Sequence, residues 1–363
     1  MKILVLNPGS STLKWQLMDT TTQPFTTLQE HTLEANDSHI LFHIHDLLEY
    51  GPAVDAIACR VVHGGDRFTQ AVRVTPEVRQ TIRDLGRLAP LHNPIAADVL
   101  EELSKLVSSV ACYAVFDTAF HATMPAVAAT EAIPRELSRG LGLRRYGMHG
   151  ISYQYLTQRM QELAPEAKRV IACHLGNGAS VCAIHEGTCV DTSMGLTPLP
   201  GLIMGTRCGD IGADVVLHLL RQDGMTVDQV EDVLTRHSGL KGLAGTADMR
   251  ELLARDDAEA RFALEAYTYR IRKYIGAYAA ALGGVDALVF TGGIGENAAA
   301  VRAQVCQPLA WLGLLLDTVR NQVPSADDRS LHVEGSSVGI WVIHADEAKE
   351  MARQVVALET ALP

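Results

Sequence analysis

Short apolar runs alternate along the chain with longer segments in which apolar positions recur at helical spacing, and glycine-rich turns separate the two. Buried strands and amphipathic helices produce those two periods, so the alternation predicts an α/β protein. Helix-period positions fall in Thr75 to Leu88, Ile95 to Leu106, Ser152 to Leu163, Val227 to Arg236, Ala258 to Leu282 and Glu347 to Leu358. The longest ends at Gly283-Gly284, a stop signal, and Gly339-Ile-Trp-Val-Ile343 reads as a strand before the last helix. Residues 20 to 50 give no clear period. Their histidines 39, 43 and 45 read as a solvated face rather than a metal site, because no cysteine and no ordered carboxylate spacing accompanies them.

Three glycine-rich turns each follow a buried-looking strand: Asn7-Pro-Gly-Ser-Ser11, His174-Leu-Gly-Asn-Gly178 and Thr291-Gly-Gly-Ile-Gly-Glu-Asn297. Such turns bring backbone N–H groups close to anions, and three in one chain point to a nucleotide. The first two also share an order of strand, polar residue, glycine and second strand. That weak repeat predicts a duplicated pair of domains with a cleft between them. Neither a P-loop motif nor a dinucleotide-binding glycine fingerprint is present, so the two standard nucleotide folds do not fit.

With 363 residues, 47% of them hydrophobic and 20% charged, the chain can bury large cores and is expected to hold two domains. A net charge of −11 argues against a nucleic-acid binder, which needs a basic face. The seven cysteines are odd in number and form no C-x-x-C pair, as expected of reduced core thiols in the cytoplasm. Asn7-Pro-Gly9 ends the first apolar run too early for a signal peptide, and no run is long enough for a membrane span.

Nine motifs carry a resemblance to a known family. Besides the three turns, the first extending to Lys14, they are Arg60-Val-Val-His-Gly-Gly-Asp-Arg-Phe68, Ala89-Pro-Leu-His-Asn-Pro94, Val115-Phe-Asp-Thr-Ala-Phe-His121, Arg145-Tyr-Gly-Met-His-Gly150, Asp191-Thr-Ser-Met-Gly195 and Gly205-Thr-Arg-Cys-Gly-Asp210. In this order, over nearly the whole chain, they resemble the acetate kinase family, which belongs with sugar kinases, Hsp70 chaperones and actin. The resemblance implies two duplicated actin-like (ribonuclease H-like) domains around an ATP cleft. Residues 1–120 plus 348–363 would form the first domain, and 121–347 the nucleotide-binding and dimerisation domain.

It implies reversible phosphoryl transfer from ATP to acetate, giving acetyl phosphate and ADP, in a cytoplasmic homodimer that binds neither nucleic acid nor membrane. By match to the family's motifs, Asn7 and Glu347 would organise Mg²⁺ or Mn²⁺, and Lys14 would lie near the phosphates. Arg60 would hold the carboxylate, with Val62, Leu91, Met148 and Pro198 lining the acyl pocket. His149 and Arg207 would stabilise the transferring group, and Asp117 fills the family's essential carboxylate position. ATP would be bound by His174, Leu175, Gly176, Asn177 and Gly178, by Asp248, Met249 and Arg250, and by Gly293, Ile294, Gly295, Glu296 and Asn297.

These residue types suit the chemistry. Phosphoryl transfer between two anions spreads charge over oxygens, so cationic clamps and a metal are its main devices. An ordinary carboxylate is ionised at neutral pH and needs no base, so Asp117 is expected to act electrostatically, orienting Arg60 or a metal-bound water. His63, His92 and His121 are expected chiefly to hold loops; for Asp210 and Asn177 the capping of turns stands as the alternative to a functional role.

Several positions depart from the family's pattern. Met148 replaces the usual Phe, Ile151-Ser-Tyr153 replaces Thr-Ser-His, Gly212-Ala213 replaces Asp-Pro, and His344-Ala-Asp-Glu347 replaces Pro-Thr-Asn-Glu. A flexible thioether at 148 leaves propionate open as the substrate. Two other readings stay open on the residues alone. A small-alcohol kinase would use Asp117 as base but leave Arg60 without purpose, and an ATP-responsive scaffold would leave the whole cationic set unused.

Overall fold

The computed structural model describes residues 1–8, 12–34, 53–90, 92–107, 109–221 and 224–361. The tip of the first glycine turn, His39, His43, His45 and Leu91 lie outside the described residues. Two compact units emerge, one of residues 1–122, 148–155 and 346–363, the other of 123–147 and 156–345.

The first unit is built on a six-stranded sheet of β1 (Lys2–Pro8), β2 (Thr12–Asp19), β3 (Thr26–Glu34), β4 (Ala56–Val61), β5 (Val72–Arg73) and β6 (Ala111–Phe116), in the order β3-β2-β1-β4-β6-β5. β1, β4 and β6 run parallel, and β2, β3 and β5 are antiparallel to their neighbours. Alternation along β1 sends Leu4 and Leu6 to one core, with Leu100 and Leu103 of the helix Asn93–Leu106, and Ile3 and Val5 to the other, with Met351 and Val355 of the helix Glu347–Ala361. Each such buried side chain contributes about 1.5–3 kcal/mol. Residues 20 to 50, unreadable by period, contribute β3, whose described side chains are almost all exposed.

In the second unit, β7 (Arg169–Leu175), β8 (Ala179–His185), β9 (Thr188–Thr192), β10 (Ala287–Thr291), β11 (Arg329–Ser330) and β12 (Gly339–Val342) form a sheet in the order β11-β12-β10-β7-β8-β9. Read from β9 inward, this is the first sheet's order and strand sense repeated, so the short sequence repeat marks a whole duplicated topology. The helix Ala258–Leu282 packs on β7 and β8, and Ile271 and Ile275 are among its buried residues. Asp257 caps its N-terminus and Gly283, at φ 68°, its C-terminus.

The expected helices are found with small shifts at their ends. Thr75 to Leu88 divides into Pro76–Asp84 and a tighter turn at Leu85–Arg87. All seven cysteines are free thiols, and burial pushes those of Cys59 and Cys173 well above the usual range. No helix among the described residues is long and apolar enough to cross a membrane.

Candidate active site

In the first unit, parallel strands deliver polar residues to their carboxyl ends, where open α/β sheets bind ligands. Asn7 lies near the end of β1, Arg60 near the end of β4 and Asp117 just past β6. The backbone N–H of Asp117 donates to Val61 O (3.0 Å), which prolongs the β4/β6 pairing by one residue and fixes where its side chain starts.

Arg60 joins these strands. Its Nε donates to both carboxylate oxygens of Asp117 (3.1 Å each), Nη2 to Asp117 Oδ2 (2.5 Å), and Nη1 to Asn7 Oδ1 (2.9 Å). Asn7 Nδ2 in turn donates to Glu347 Oε2 (3.3 Å), at the start of the last helix. Asp117 is fully buried, whereas 18% of the Arg60 side chain remains exposed. Burial lifts the Asp117 carboxyl above the ordinary carboxylate range against the opposing pull of Arg60. For Arg60, burial acts downward, but the charges of Asp117 and Glu347 outweigh it and hold the guanidinium charged.

His149 sits in the left-handed region at φ 61°, which is strained for a residue with a Cβ. Its neighbours impose that turn. Gly147 has φ 78°, and Gly150 donates to Asp117 O (3.0 Å) from a position where a Cβ would overlap that oxygen. Met148 is buried at 1% exposure, and its carbonyl accepts from His121 Nε2 (2.9 Å). Val62 is buried too. His63 braces a loop, accepting from Gly65 N through Nδ1 (3.0 Å), while its main chain is clasped by Asn93. Lys14, on β2, is exposed and pairs in register with Asn7.

The second unit holds its polar groups differently. Arg207 lies in a loop folded on itself, where Met204 N donates to Arg207 O (3.1 Å) and Asp210 N to Gly201 O (3.0 Å). Its Nη1 is anchored on Pro198 O (3.0 Å) and Met204 Sδ (3.5 Å). Gly209 has φ 71°, and a Cβ there would overlap Leu202 O. A Cβ on Gly205 would strike Asn177 Oδ1, so glycine lets this loop touch the His174–Gly178 turn, with Gly205 N donating to Asn177 O (3.0 Å). Asp210 is a brace: its carboxylate accepts from Gly201 N (2.8 Å) and from Tyr274 Oη (2.7 Å).

A cavity of 690 Å³ in this unit is lined by Gly176, Asn177, Asp248, Arg250, Gly293 and Asn297, together with Met249 and Ile294. Glycine turns, helix ends and apolar side chains fit a flat heterocycle with a polar tail. Asp248 caps the helix Met249–Ala254 and pairs with Arg250 (Nη2–Oδ2 2.6 Å). The hydrogen bond from the Arg250 side chain lowers the Asp248 carboxyl to about 2. His174 and Leu175 end β7 beneath this turn, and the Leu175 side chain is buried in the core.

Glu296 does not line that cavity. Its carboxylate accepts from Gly292 N and Ala345 N (2.9 Å each) and pairs with His344 Nδ1 (2.9 Å), so it holds the Gly292–Asn297 helix in place. A further brace was not anticipated from sequence: Arg302 is 1% exposed and donates to the carbonyls of Gly295 and Glu296 (2.8 Å each). Its signal in the sequence is a lone cation in the apolar helix Ala299–Cys306.

The family model of the acetokinase family matches residues 27–353. The acetate kinase of Bacteroides fragilis is 41% identical, with 99% of each chain covered, and that of Clavibacter sepedonicus 44% identical, with 98% of each covered. Among solved structures, an acetate kinase from Porphyromonas gingivalis superposes with a TM-score of 0.90 at 33% identity, covering 99% of each chain. A propionate kinase from Francisella tularensis superposes with a TM-score of 0.90 at 35% identity, covering 97% of this chain and 98% of that one.

Proposed function

The chain belongs to the acetokinase family, and from that premise we propose how its residues carry out phosphoryl transfer between ATP and acetate. The protein is a phosphotransferase with a carboxyl group as acceptor, and its reaction gives acetyl phosphate and ADP. The observation that carries the site assignment is the buried Asp117 clamped by Arg60.

Arg60 has five N–H donors, and the bonds to Asp117 and Asn7 engage Nε, one hydrogen on Nη2 and one on Nη1. One hydrogen on each terminal nitrogen is left. Together these form an end-on fork that matches a carboxylate, which is how Arg60 would hold acetate. Asp117 orients that fork and has no proton to remove, since acetate is already an anion. His149 and Arg207 would meet charge developing on the transferred group, and Lys14 the phosphates of ATP. The 690 Å³ cavity would take the adenosine, between Asp248-Met-Arg250 and Gly293-Ile-Gly295.

The family implies a divalent metal, and the carboxylate of Glu347 with the carboxamide oxygen of Asn7 is the hard oxygen set that Mg²⁺ or Mn²⁺ accepts. The joining bond between them supports the fit. Bound there, the metal would neutralise phosphate charge. We further propose a cytoplasmic homodimer, as the family implies.

Propionate is a second reading, favoured by Met148 at a buried position where the family usually carries Phe. Hydroxylamine trapping with MgATP and acetate, propionate, butyrate or glycerol decides it. Acyl hydroxamate from acetate at the highest kcat/KM is expected; ADP formed only with glycerol would sink the assignment. Met148→Phe is expected to lower the propionate-to-acetate ratio of kcat/KM by roughly tenfold, since one methylene is worth about 1–3 kcal/mol. An unchanged ratio would show that residue 148 does not gauge acyl length.

A further inference from the structure

The short helix Gly292–Asn297 borders a second cavity, of 660 Å³, lined by Glu296, Arg302, Asn321, Arg329 and His344. Its charges do not balance internally. Among the described residues Arg302, 1% exposed, donates only to neutral acceptors: Nε to Asn321 Oδ1, Nη2 to Asn321 O, and Nη1 to the carbonyls of Gly295 and Glu296. Burial, and then the neighbouring Arg329 charge, pushes Arg302 down to about 10. The carboxylate of Glu296 is consumed by Gly292 N, Ala345 N and His344 Nδ1. Asp328, beside Arg329 in sequence, is turned toward Arg159 Nε and His344 N.

Two nitrogens of residues lining the cavity are buried without a hydrogen-bond partner among the described residues, Arg329 Nε and His344 Nε2. Among the described residues, the Arg329 side chain makes a single hydrogen bond, from Nη1 to Ser325 O (3.2 Å). Native proteins rarely leave such groups unpaired, so each points to a missing partner. Because His344 Nδ1 donates to the Glu296 carboxylate, Nε2 accepts when the ring is neutral and donates when it is charged. A phosphate group serves both nitrogens: its anionic oxygens accept from Arg329 Nε and from His344 Nε2 when that ring is charged, and its singly protonated form carries a P–OH that can donate to Nε2 when the ring is neutral. Its anionic oxygens also match an Arg pair that no carboxylate among the described residues pairs with.

We propose that this cavity is a second anion site, distinct from the nucleotide cavity, which takes the phosphate group of a small phosphorylated metabolite. Its volume lies within the range of small-molecule pockets and exceeds what phosphate alone fills, so an organic remainder belongs there. His344 gives the site a feature particular to this chain, since the family usually has Pro at that position and a Pro side chain carries no nitrogen to offer.

The test is calorimetric titration of the intact protein with inorganic phosphate, glycerol 3-phosphate and citrate. A saturating non-hydrolysable ATP analogue with Mg²⁺ fills the catalytic anion positions. Saturable binding of both phosphate probes is expected, with the ester tighter, and Arg329→Gln and His344→Pro should each weaken it tenfold or more. His344→Pro restores the family's usual residue and keeps the test decisive should Arg329→Gln fold poorly. No binding of either phosphate probe, equal affinity in parent and variants, or citrate bound as tightly as the phosphates would each overturn the assignment. The nucleotide reading is checked separately by titrating the ATP analogue alone: no binding there would sink that reading, while the phosphate titrations judge this site by their dependence on Arg329 and His344.

Discussion

The two sheets share an order and strand sense, yet the ends of their corresponding strands carry different chemistry. At the carboxyl ends of β1, β4 and beyond β6, the first unit places Asn7, Arg60 and Asp117, whose side chains bond to one another. Register puts His174 and Thr291 at the matching ends of β7 and β10, each followed by a glycine-rich stretch, in which Asn177, Gly293 and Asn297 are exposed. On the proposed assignment, with acetate held in the first unit and the nucleotide in the second, the difference follows ligand size. A two-carbon acid offers one carboxylate, which a guanidinium fork can grip, whereas a nucleotide presents a long surface that close backbone approach can follow.

The largest expected effect comes from breaking the side-chain half. Arg60→Ala should lower kcat/KM for acetate on the order of 10³-fold in the hydroxamate assay. It should also destabilise the protein by about 3–5 kcal/mol in denaturant unfolding, because a fully buried carboxylate loses its partner. Asp117→Asn separates two roles. Positioning of Arg60 predicts a fall in kcat together with a rise in acetate KM, whereas a general base predicts that kcat falls alone.

Arg207→Ala comes next, with kcat reduced about 10²-fold; Pro198 O and Met204 Sδ, which its Nη1 contacts, are neutral, so losing those two bonds should cost less stability than the buried carboxylate stranded by Arg60→Ala. Equal stability losses in the two variants would erase the contrast between stranding a buried charge and losing bonds to neutral acceptors. Gly209→Ala tests the backbone half: a Cβ at φ 71° against Leu202 O should cost about 1–3 kcal/mol and lower kcat through the displaced Arg207. Unchanged stability would mean that the loop is not held by main-chain packing.

The smallest effect concerns Asp248, whose carboxyl is lowered from the ordinary 3.8 to about 2. A depressed folded-state value means stability present above 3.8 and lost as pH falls through about 2. Asp248→Asn should therefore lower the melting temperature slightly at neutral pH, and the gap to the parent should close between those two values. A gap that widened on acidification would reverse the sign of the argument.

Much of this was legible along the chain. Strands with both faces buried, such as Val170-Ile-Ala-Cys173, announce themselves by continuous apolar runs, and Gly283 announced the end of its helix. β3 did not, because an edge strand is held to β2 by main-chain bonds and needs no apolar face. The arginines and glycine turns stood out as chemistry, but Glu296 read as a nucleotide contact, and in the fold its carboxylate is spent bracing Gly292, Ala345 and His344.

The sequence by itself determined the α/β class, the duplication and the residue types needed for an anionic acceptor, since periodicity and glycine placement are local properties of the chain. Only the tertiary structure decided which groups those residues bond. Asn7, Arg60, Asp117 and Glu347 are far apart in sequence and become one network through parallel strand register and the return of the last helix. Likewise, no local pattern shows that Arg302 and Arg329 lack an acid partner among the described residues, because pairing of buried charge depends on packing that brings distant segments together.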